Sequence, residues 1–329
     1  MAIDPRFRWS IRWVSRSLRR GRGCGAFGVG LALVLLASGC GGQRARPGPR
    51  AAASPPLPFT VVADAGFDFT LHCARGEQTN LLDTIGHGAA ILDFDRDGRY
   101  DVILTGHDQL AAYRNLGGLR FQRVDVGLRT DGNWGGAAVG DIDNDGWPDL
   151  YVTGYGCAAL YRNERGRFRE ITAAAGLAPP RWRYPAWGTS AGFADLDRDG
   201  KVDLVVCYYL EFGPDLPQRC PSHVKEVFVV CAPRIYHEQR PRVYRNLGGG
   251  RFEDVTEAWG VRGHGGALGV AFQDVNDDGR TDFAIANDAR PGDLFLNQGG
   301  RFVEIGARAG VAYDMHGRVY AGMGLDWGD

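Results

Sequence analysis

The sequence predicts an all-β protein: a β-propeller of four-stranded blades with calcium-binding hairpin loops, of which this chain covers about four to five blades. Three observations predict it. A nine-residue acidic loop recurs four times, an aromatic-x-Asn…Phe landmark follows each loop, and the spacing between the two is nearly constant. Repeats of this length, each offering about four short strands, are the signature of propeller blades.

The clearest loop is Asp141-Ile142-Asp143-Asn144-Asp145-Gly146-Trp147-Pro148-Asp149. Acids at places one, three and five let a tightly turning chain aim several oxygens at one centre. Glycine at place six permits the bend, and the acid at place nine closes the cage from the far side. The other copies carry Asp93, Asp95, Asp97 and Asp101; Asp195, Asp197, Asp199 and Asp203; and Asp274, Asn276, Asp278 and Asp282. The seventh-place residues Arg99, Trp147, Lys201 and Arg280 are expected to offer backbone carbonyls. An all-oxygen donor set favours Ca2+ over Mg2+, which demands more regular geometry, and predicts about four Ca2+ sites, one per complete loop. These are not EF-hands, because no Glu stands at place twelve and no helical pattern flanks them. Short apolar runs flank them instead, such as Ala89 to Leu92 and Val102 to Leu104, so each loop reads as a metal-clipped β-hairpin.

The landmarks are Tyr113-Arg114-Asn115…Phe121, Tyr161-Arg162-Asn163…Phe168, Tyr244-Arg245-Asn246…Phe252 and Phe295-Leu296-Asn297…Phe302. From the first loop Asp to this Phe the distance is 28, 27 and 28 residues in the first, second and fourth copies and 57 in the third. The third copy therefore carries an insertion, about 208–242. The repeated aromatics are expected in the core between blades, and the Asn and Gly of the third turn are expected to supply left-handed backbone. At the N-terminal edge, Phe59-Thr60-Val61-Val62…Ala65-Gly66 copies the end of a unit, compare Phe168…Ala175-Gly176, and would supply an outer strand that closes the ring. At the other edge, Gly322 to Asp329 aligns with Gly135 to Asp141 and places Asp329 where a fifth loop would begin. The expectation is a chain that is part of a longer propeller.

Residues 1–39 read as an export address. Seven arginines precede the apolar run Gly28 to Leu36, which is too short for a comfortable membrane span. It ends in Leu36-Ala37-Ser38-Gly39-Cys40, which resembles a bacterial lipobox and makes Cys40 the candidate lipidation site. Residues 40–58, rich in Pro, Ala, Gly and Arg, read as a tether to a propeller over 59–329. The expected location is the bacterial cell envelope, at the outer membrane if the source has one, or outside the cell, with membrane contact through the N-terminal lipid alone. Removing the seven arginines and Asp4 of the address from 38 basic and 39 acidic groups leaves 31 and 38, a formal −7. Four Ca2+ in four loops would shift that to about +1, so the net acidity reads as metal-site acidity, and no basic patch of nucleic-acid size is visible.

Taken together these residues resemble the FG-GAP/VCBS repeat proteins, and specifically the cartilage acidic protein group, whose members carry an ASPIC/UnbV module downstream. The resemblance covers about Phe59 to Asp329. Its more specific parts are Asp83-Thr84-Ile85-Gly86…Gly88, Asn287-Asp288…Pro291…Leu294-Phe295 and Ala321-Gly322-Met323-Gly324. It implies an integrin-α-like propeller, usually seven-bladed, exported and calcium-loaded. Similar members keep a cysteine pair at the insertion, which implies a disulfide between Cys220 and Cys231, with Cys207 as the rival partner. An oxidising compartment favours pairing over a metal site made from Cys220, His223 and Cys231.

Gly188-Thr189-Ser190-Ala191-Gly192 matches the G-x-S-x-G pattern, but it falls on the first strand of a unit, aligned with Gly135-Gly136-Ala137, and not on a strand-to-helix elbow. The sequence shows no catalytic set, and the seven histidines show no ligand spacing. The expected function is a non-catalytic binding or adhesion module for a protein or glycan. The alternative is a calcium-dependent propeller enzyme acting on polysaccharide.

Overall fold

The computed structural model describes residues 62, 64–71 and 80–328. The export address, Cys40, the tether, Phe59, Cys73 and Asp329 lie outside the described residues. Residues 60–329 group as one compact unit.

Four antiparallel four-stranded sheets follow one another along the chain. The first is β1 (Ala89–Leu92), β2 (Asp101–Gly106), β3 (Gln109–Asn115) and β4 (Phe121–Val124). The second is β5 (Asn133–Gly140), β6 (Asp149–Tyr155), β7 (Ala158–Asn163) and β8 (Phe168–Glu170). The third begins with β9 (Gly188–Ala194) and β10 (Asp203–Tyr208), and is interrupted by a separate hairpin, β11 (Arg219–Pro221) and β12 (Phe228–Val230). It resumes with β13 (Arg242–Gly248) and β14 (Arg251–Asp254). The fourth is β15 (Ala267–Gln273), β16 (Asp282–Asn287), β17 (Asp293–Asn297) and β18 (Phe302–Glu304). These sheets are blades of a β-propeller. Among the described residues, no helix is long and apolar enough to cross a membrane.

Strand alternation decides how blades meet. In β6, Leu150 and Val152 face the first blade while Tyr151 faces the third; in β10, Leu204 and Val206 face the second blade while Val205 and Cys207 face the fourth. A strand sandwiched between two neighbours must be apolar on both faces, which is why these strands are continuous hydrophobic runs. The landmark aromatics Tyr113, Tyr161, Tyr244 and Phe295 are buried in these joints or beside them. The second residue of each of the first three acidic loops plugs the joint to the next blade: Phe94, Ile142 and Leu196 are buried among residues of both blades.

The first strands converge and need small residues. A Cβ on Gly136 of β5 would stand 2.5 Å from the carbonyl oxygen of Thr189 on β9. At the outer edge a second clip recurs. Phe168 N–H donates to Val126 O at 2.7 Å, Phe252 to Ala175 at 2.8 Å and Phe302 to Trp259 at 2.7 Å, each tying an outer strand to the end of the preceding unit. Phe121 N–H donates to Ala65 O in the same way at 2.7 Å, so the described part of the N-terminal edge holds the place of a unit's end. The glycine after each acceptor has positive φ, and at Gly176 a Cβ would lie 2.9 Å from Phe252 O.

One expectation is corrected. Asn115, Asn163, Asn246 and Asn297 do not supply left-handed backbone at the third turn. Glycines such as Gly117, Gly166, Gly248 and Gly299, with Leu119 and Arg165, take the positive φ values there. The Asn side chains have another task, described below.

Antiparallel alternation puts the acidic loops at one end of the blades and the links between second and third strands at the other. The insertion is one of those links. Cys220 and Cys231 form a disulfide with a Cα–Cα distance of 4.9 Å, and among the described residues Cys157 and Cys207 are free thiols. Buried Gln239 anchors the insertion: its Oε1 accepts Trp187 N–H at 2.7 Å and its Nε2 donates to Pro185 O at 2.9 Å. Nearby, Tyr209 donates its hydroxyl to Asp288 at 2.6 Å, and Asn287 donates to Pro291 O at 2.7 Å and to Asp293 at 2.8 Å. Gly322 N–H donates to Asn287 O at 3.0 Å, and Ala321 bridges Asp288, so this stretch lies where the next unit's first strand belongs.

Replacing Gly176 by Ala should destabilise the protein by about 2–4 kcal/mol, because strain at positive φ adds to the clash with Phe252 O. Gly299→Ala, at a φ of 84° with open space around it, should cost only the conformational part, about 1–2 kcal/mol. Urea unfolding of the two variants checks the difference.

Candidate metal centres

The four loops share one backbone. Place four is left-handed in each (Arg96, Asn144, Arg198 and Asp277, φ 57–63°), and so is the glycine at place six (φ 80–85°). The sequence signals the glycine but not place four, where the fold holds ordinary side chains in a strained region.

The carboxylates shape the turn by accepting its amides. The first-place Asp accepts the N–H groups of places five and six: Asp141 takes Asp145 N–H at 3.1 Å and Gly146 N–H at 2.8 Å, and Asp93, Asp195 and Asp274 do the same. The fifth-place Asp accepts the seventh-place N–H, as Asp145 does from Trp147 at 2.9 Å and Asp97, Asp199 and Asp278 do from Arg99, Lys201 and Arg280. The ninth-place Asp is buried and joins three segments. Asp149 Oδ2 accepts Ile142 N–H at 2.9 Å, and its Oδ1 accepts Asn163 N–H at 2.7 Å from the third strand. Asp101, Asp203 and Asp282 repeat both bonds.

The landmark Asn then crosses the joint. Asn163 Nδ2 donates to Pro148 O of its own loop at 3.1 Å and to Phe94 O of the preceding loop at 2.9 Å. Asn246 reaches Val202 O and Ile142 O, and Asn297 reaches Thr281 O and Leu196 O. Loops also touch edge to edge: Asn144 Nδ2 donates to Gly200 O at 2.9 Å, and the Arg96 guanidinium lies 5.3 Å from the Trp147 ring centre.

Among the described residues, three acid clusters could hold a metal ion: Asp93, Asp95 and Asp101; Asp141, Asp143 and Asp149; and Asp195, Asp197 and Asp199. Each offers carboxylate oxygens within 4.8 Å of one another. The residues fit a hard cation. Asp95 Oδ1 and Asp143 Oδ1 are buried without a hydrogen-bond partner, a costly state that a cation would relieve. The fourth loop keeps the same turn with Asn276 at place three, whose Oδ1 accepts Asp278 N–H at 3.2 Å.

Basic side chains flank the acids. Arg114 Nε lies 2.7 Å from Asp95 Oδ2 and Arg245 Nε lies 2.6 Å from Asp197 Oδ2. Arg162 contacts Asp143 and lies 3.5 Å from Asp145. At place seven, Arg99 and Arg280 pair with Asp97 and Asp278, and Lys201 Nζ lies 2.6 Å from Asp199. Three of the four seventh-place residues therefore contribute side-chain charge, which their expected role as carbonyl donors did not include. The third-strand arginines were missed too, although their presence follows the loop: Arg where place three is Asp, Leu296 where it is Asn276.

Burial raises the ninth-place acids. It pushes Asp149 up to about 7 and Asp203 to about 6, against the pull of the amides that donate to them. Burial also raises Asp101, Asp143 and Asp282.

The profile of the FG-GAP-like repeat family matches residues 93–152, 141–206 and 225–285, together more than half of the chain. The first two windows open on the first acid of a loop. No curated protein matches the chain in sequence. Similar solved structures include a lectin of Agrocybe aegerita with specific recognition of non-reducing terminal N-acetylglucosamine, at 20% identity and a TM-score of 0.37, covering 65% of this chain and 50% of that one. Another is a rhamnogalacturonan lyase of Bacillus licheniformis, at 13% identity and a TM-score of 0.31, covering 66% of this chain and 50% of that one. The chain thus spans about half the length of these two, and at these scores nothing about ligand or activity carries over.

Two outcomes are expected. Asn163→Ala removes the bond to Pro148 O of its own loop and the cross-joint bond to Phe94 O and should cost about 2–3 kcal/mol, more than Asn115→Ala, whose Nδ2 donates to Tyr100 O; chemical denaturation of both variants measures this. Asp149 and Asp203 bind protons in the folded state up to about 7 and 6 but in the unfolded chain only near 3.8. Metal-free stability should therefore fall as pH rises through that window. A cation must displace those protons, so metal affinity should rise over the same window. Calorimetric titrations with Ca2+ and melting curves at pH 5 and pH 7.5 give both slopes.

Proposed function

The chain belongs to the FG-GAP-like repeat family, and from that membership we propose that it is an exported, calcium-binding β-propeller acting as a non-catalytic binding or adhesion module at the bacterial cell envelope. The observation that carries this reading is the recurrence of one acidic turn in every described blade, with place-three oxygens of Asp95 and Asp143 buried and unpartnered. In this reading Ca2+ is structural. About four ions, one per loop, neutralise the acids and hold each hairpin against its neighbour, which leaves the opposite end of the blades for recognition.

That opposite end carries the insertion, where Val224, Val227, Phe228 and Val229 are exposed on a hairpin tied by the Cys220–Cys231 disulfide. Apolar side chains held out on a stapled hairpin suit contact with a partner. The partner class is a protein or a glycan. The lipid at Cys40 and the tether over 40–58 would keep the propeller near its membrane.

The alternative is a calcium-dependent enzyme acting on polysaccharide, and one observation favours it. His264 has a side chain 40% exposed, and its Nδ1 lies 2.5 Å from buried Asp293, the kind of hold that orients an imidazole for proton transfer.

Chelation of the protein should lower its melting temperature by about 5–10 °C, restored by Ca2+. Asp143→Asn with Asp145→Asn should lower stability in Ca2+ more than it alters any binding preference. A glycan array and a pull-down, each with Ca2+ and with chelator, test the binding role. Chain breakage in a polysaccharide panel that His264→Ala abolishes would transfer the assignment to the enzyme.

A further inference from the structure

Building on the calcium reading above, we propose that Arg114, Arg162 and Arg245 are built-in counter-ions of the metal-free loops, which let the blades fold before metal arrives and lower the loops' affinity for it. Each comes from the third strand of its own blade and sits on the place-three carboxylate: Arg114 on Asp95, Arg162 on Asp143, Arg245 on Asp197. At Asp95 the arginine engages Oδ2 and at Asp143 also Oδ2, while Oδ1 of each stays buried and unpartnered. One oxygen is thus neutralised from the strand side, and the other is left to the loop.

The fourth blade is a natural double substitution. Place three is Asn276 and the third-strand residue is Leu296, so the charge and the counter-charge are lost together. Like charges packed in a partly buried turn repel strongly, and a nearby guanidinium relieves that repulsion. The same guanidinium repels an incoming dication. Removing it should therefore destabilise the metal-free protein and tighten metal binding, whereas a residue that only orients the carboxylate would weaken binding when removed.

The loops then differ in charge. Counting the four acids against the third-strand and seventh-place bases leaves two negative charges in the first loop (Arg114, Arg99) and two in the third (Arg245, Lys201). At its ligand places the fourth loop has three acids against Arg280, also two, with Asp277 beside them at place four. At its ligand places the second loop has four acids against Arg162, because Trp147 stands at place seven, and keeps three, while the Arg96 guanidinium of the first loop lies 5.3 Å from the Trp147 ring centre.

Trp147 makes that loop observable, since a tryptophan inside a metal loop sensitises bound Tb3+, used here as the probe in place of Ca2+. In the full chain, R162L should raise Tb3+ affinity at the Trp147 signal about tenfold and lower the metal-free melting temperature. D143N alone should weaken binding about tenfold or more, because Arg162 is left unpaired beside the cation. The double variant D143N/R162L should return to within about threefold of the parent, a strong coupling in the cycle. Weaker binding by R162L, or additive effects in the double variant, would overturn the proposal. Should R162L not fold without metal, the fourth loop supplies the converse. N276D should lower the metal-free melting temperature and N276D/L296R should restore it; no restoration also overturns the proposal. A parent protein with no Trp147-sensitised signal and no response to chelator would instead count against the calcium reading itself.

Discussion

The structure depends on a buried aspartate at the ninth place of each acidic loop and on the asparagine beside it. Asp149 holds Ile142 N–H with one oxygen and Asn163 N–H with the other. Asn163 then extends its carboxamide across the joint to Phe94 O, and the Phe94 side chain fills the core between the same two blades. Loop, third strand and neighbouring blade are fixed by one set of bonds, repeated from blade to blade. A single unit of this kind would leave its apolar faces bare; stacked units cover one another.

This arrangement concentrates negative charge where the chain turns. Amide donors satisfy the first-, fifth- and ninth-place acids, arginines take up part of the place-three charge, and burial still pushes Asp149 and Asp203 well above the usual carboxylate range. Metal chemistry and fold are therefore not separable here. The residues that could hold a cation are the residues that close the hairpins, and the second residue of the first three loops is also a core residue. A change in one loop is felt by two blades.

The two ends of the blades are built differently. One end carries the acidic loops, linked edge to edge through Asn144 with Gly200 and Arg96 with Trp147. The other carries the insertion, held by Gln239 and by the Tyr209–Asp288 hydrogen bond. A rigid base with variable links at the opposite end suits a module in which recognition can change while the fold is kept.

The sequence by itself determined the repeat, the four strands per blade, the extra length in the third copy and the acids of each loop, because these rest on local spacing and alternation. It misassigned the landmark asparagine to turn geometry, since Asn and Gly are common in tight turns. It did not reveal the left-handed fourth place, the seventh-place ion pairs or the arginines of the third strand. Those depend on which strand end lies beside which loop. Asn163 and Phe94 are 69 residues apart and Asn246 and Ile142 are 104 apart, so only the packing of one blade on the next brings a carboxamide to a carbonyl. Local spacing records where charge must gather; how it is balanced was decided by strands that meet only in the folded ring.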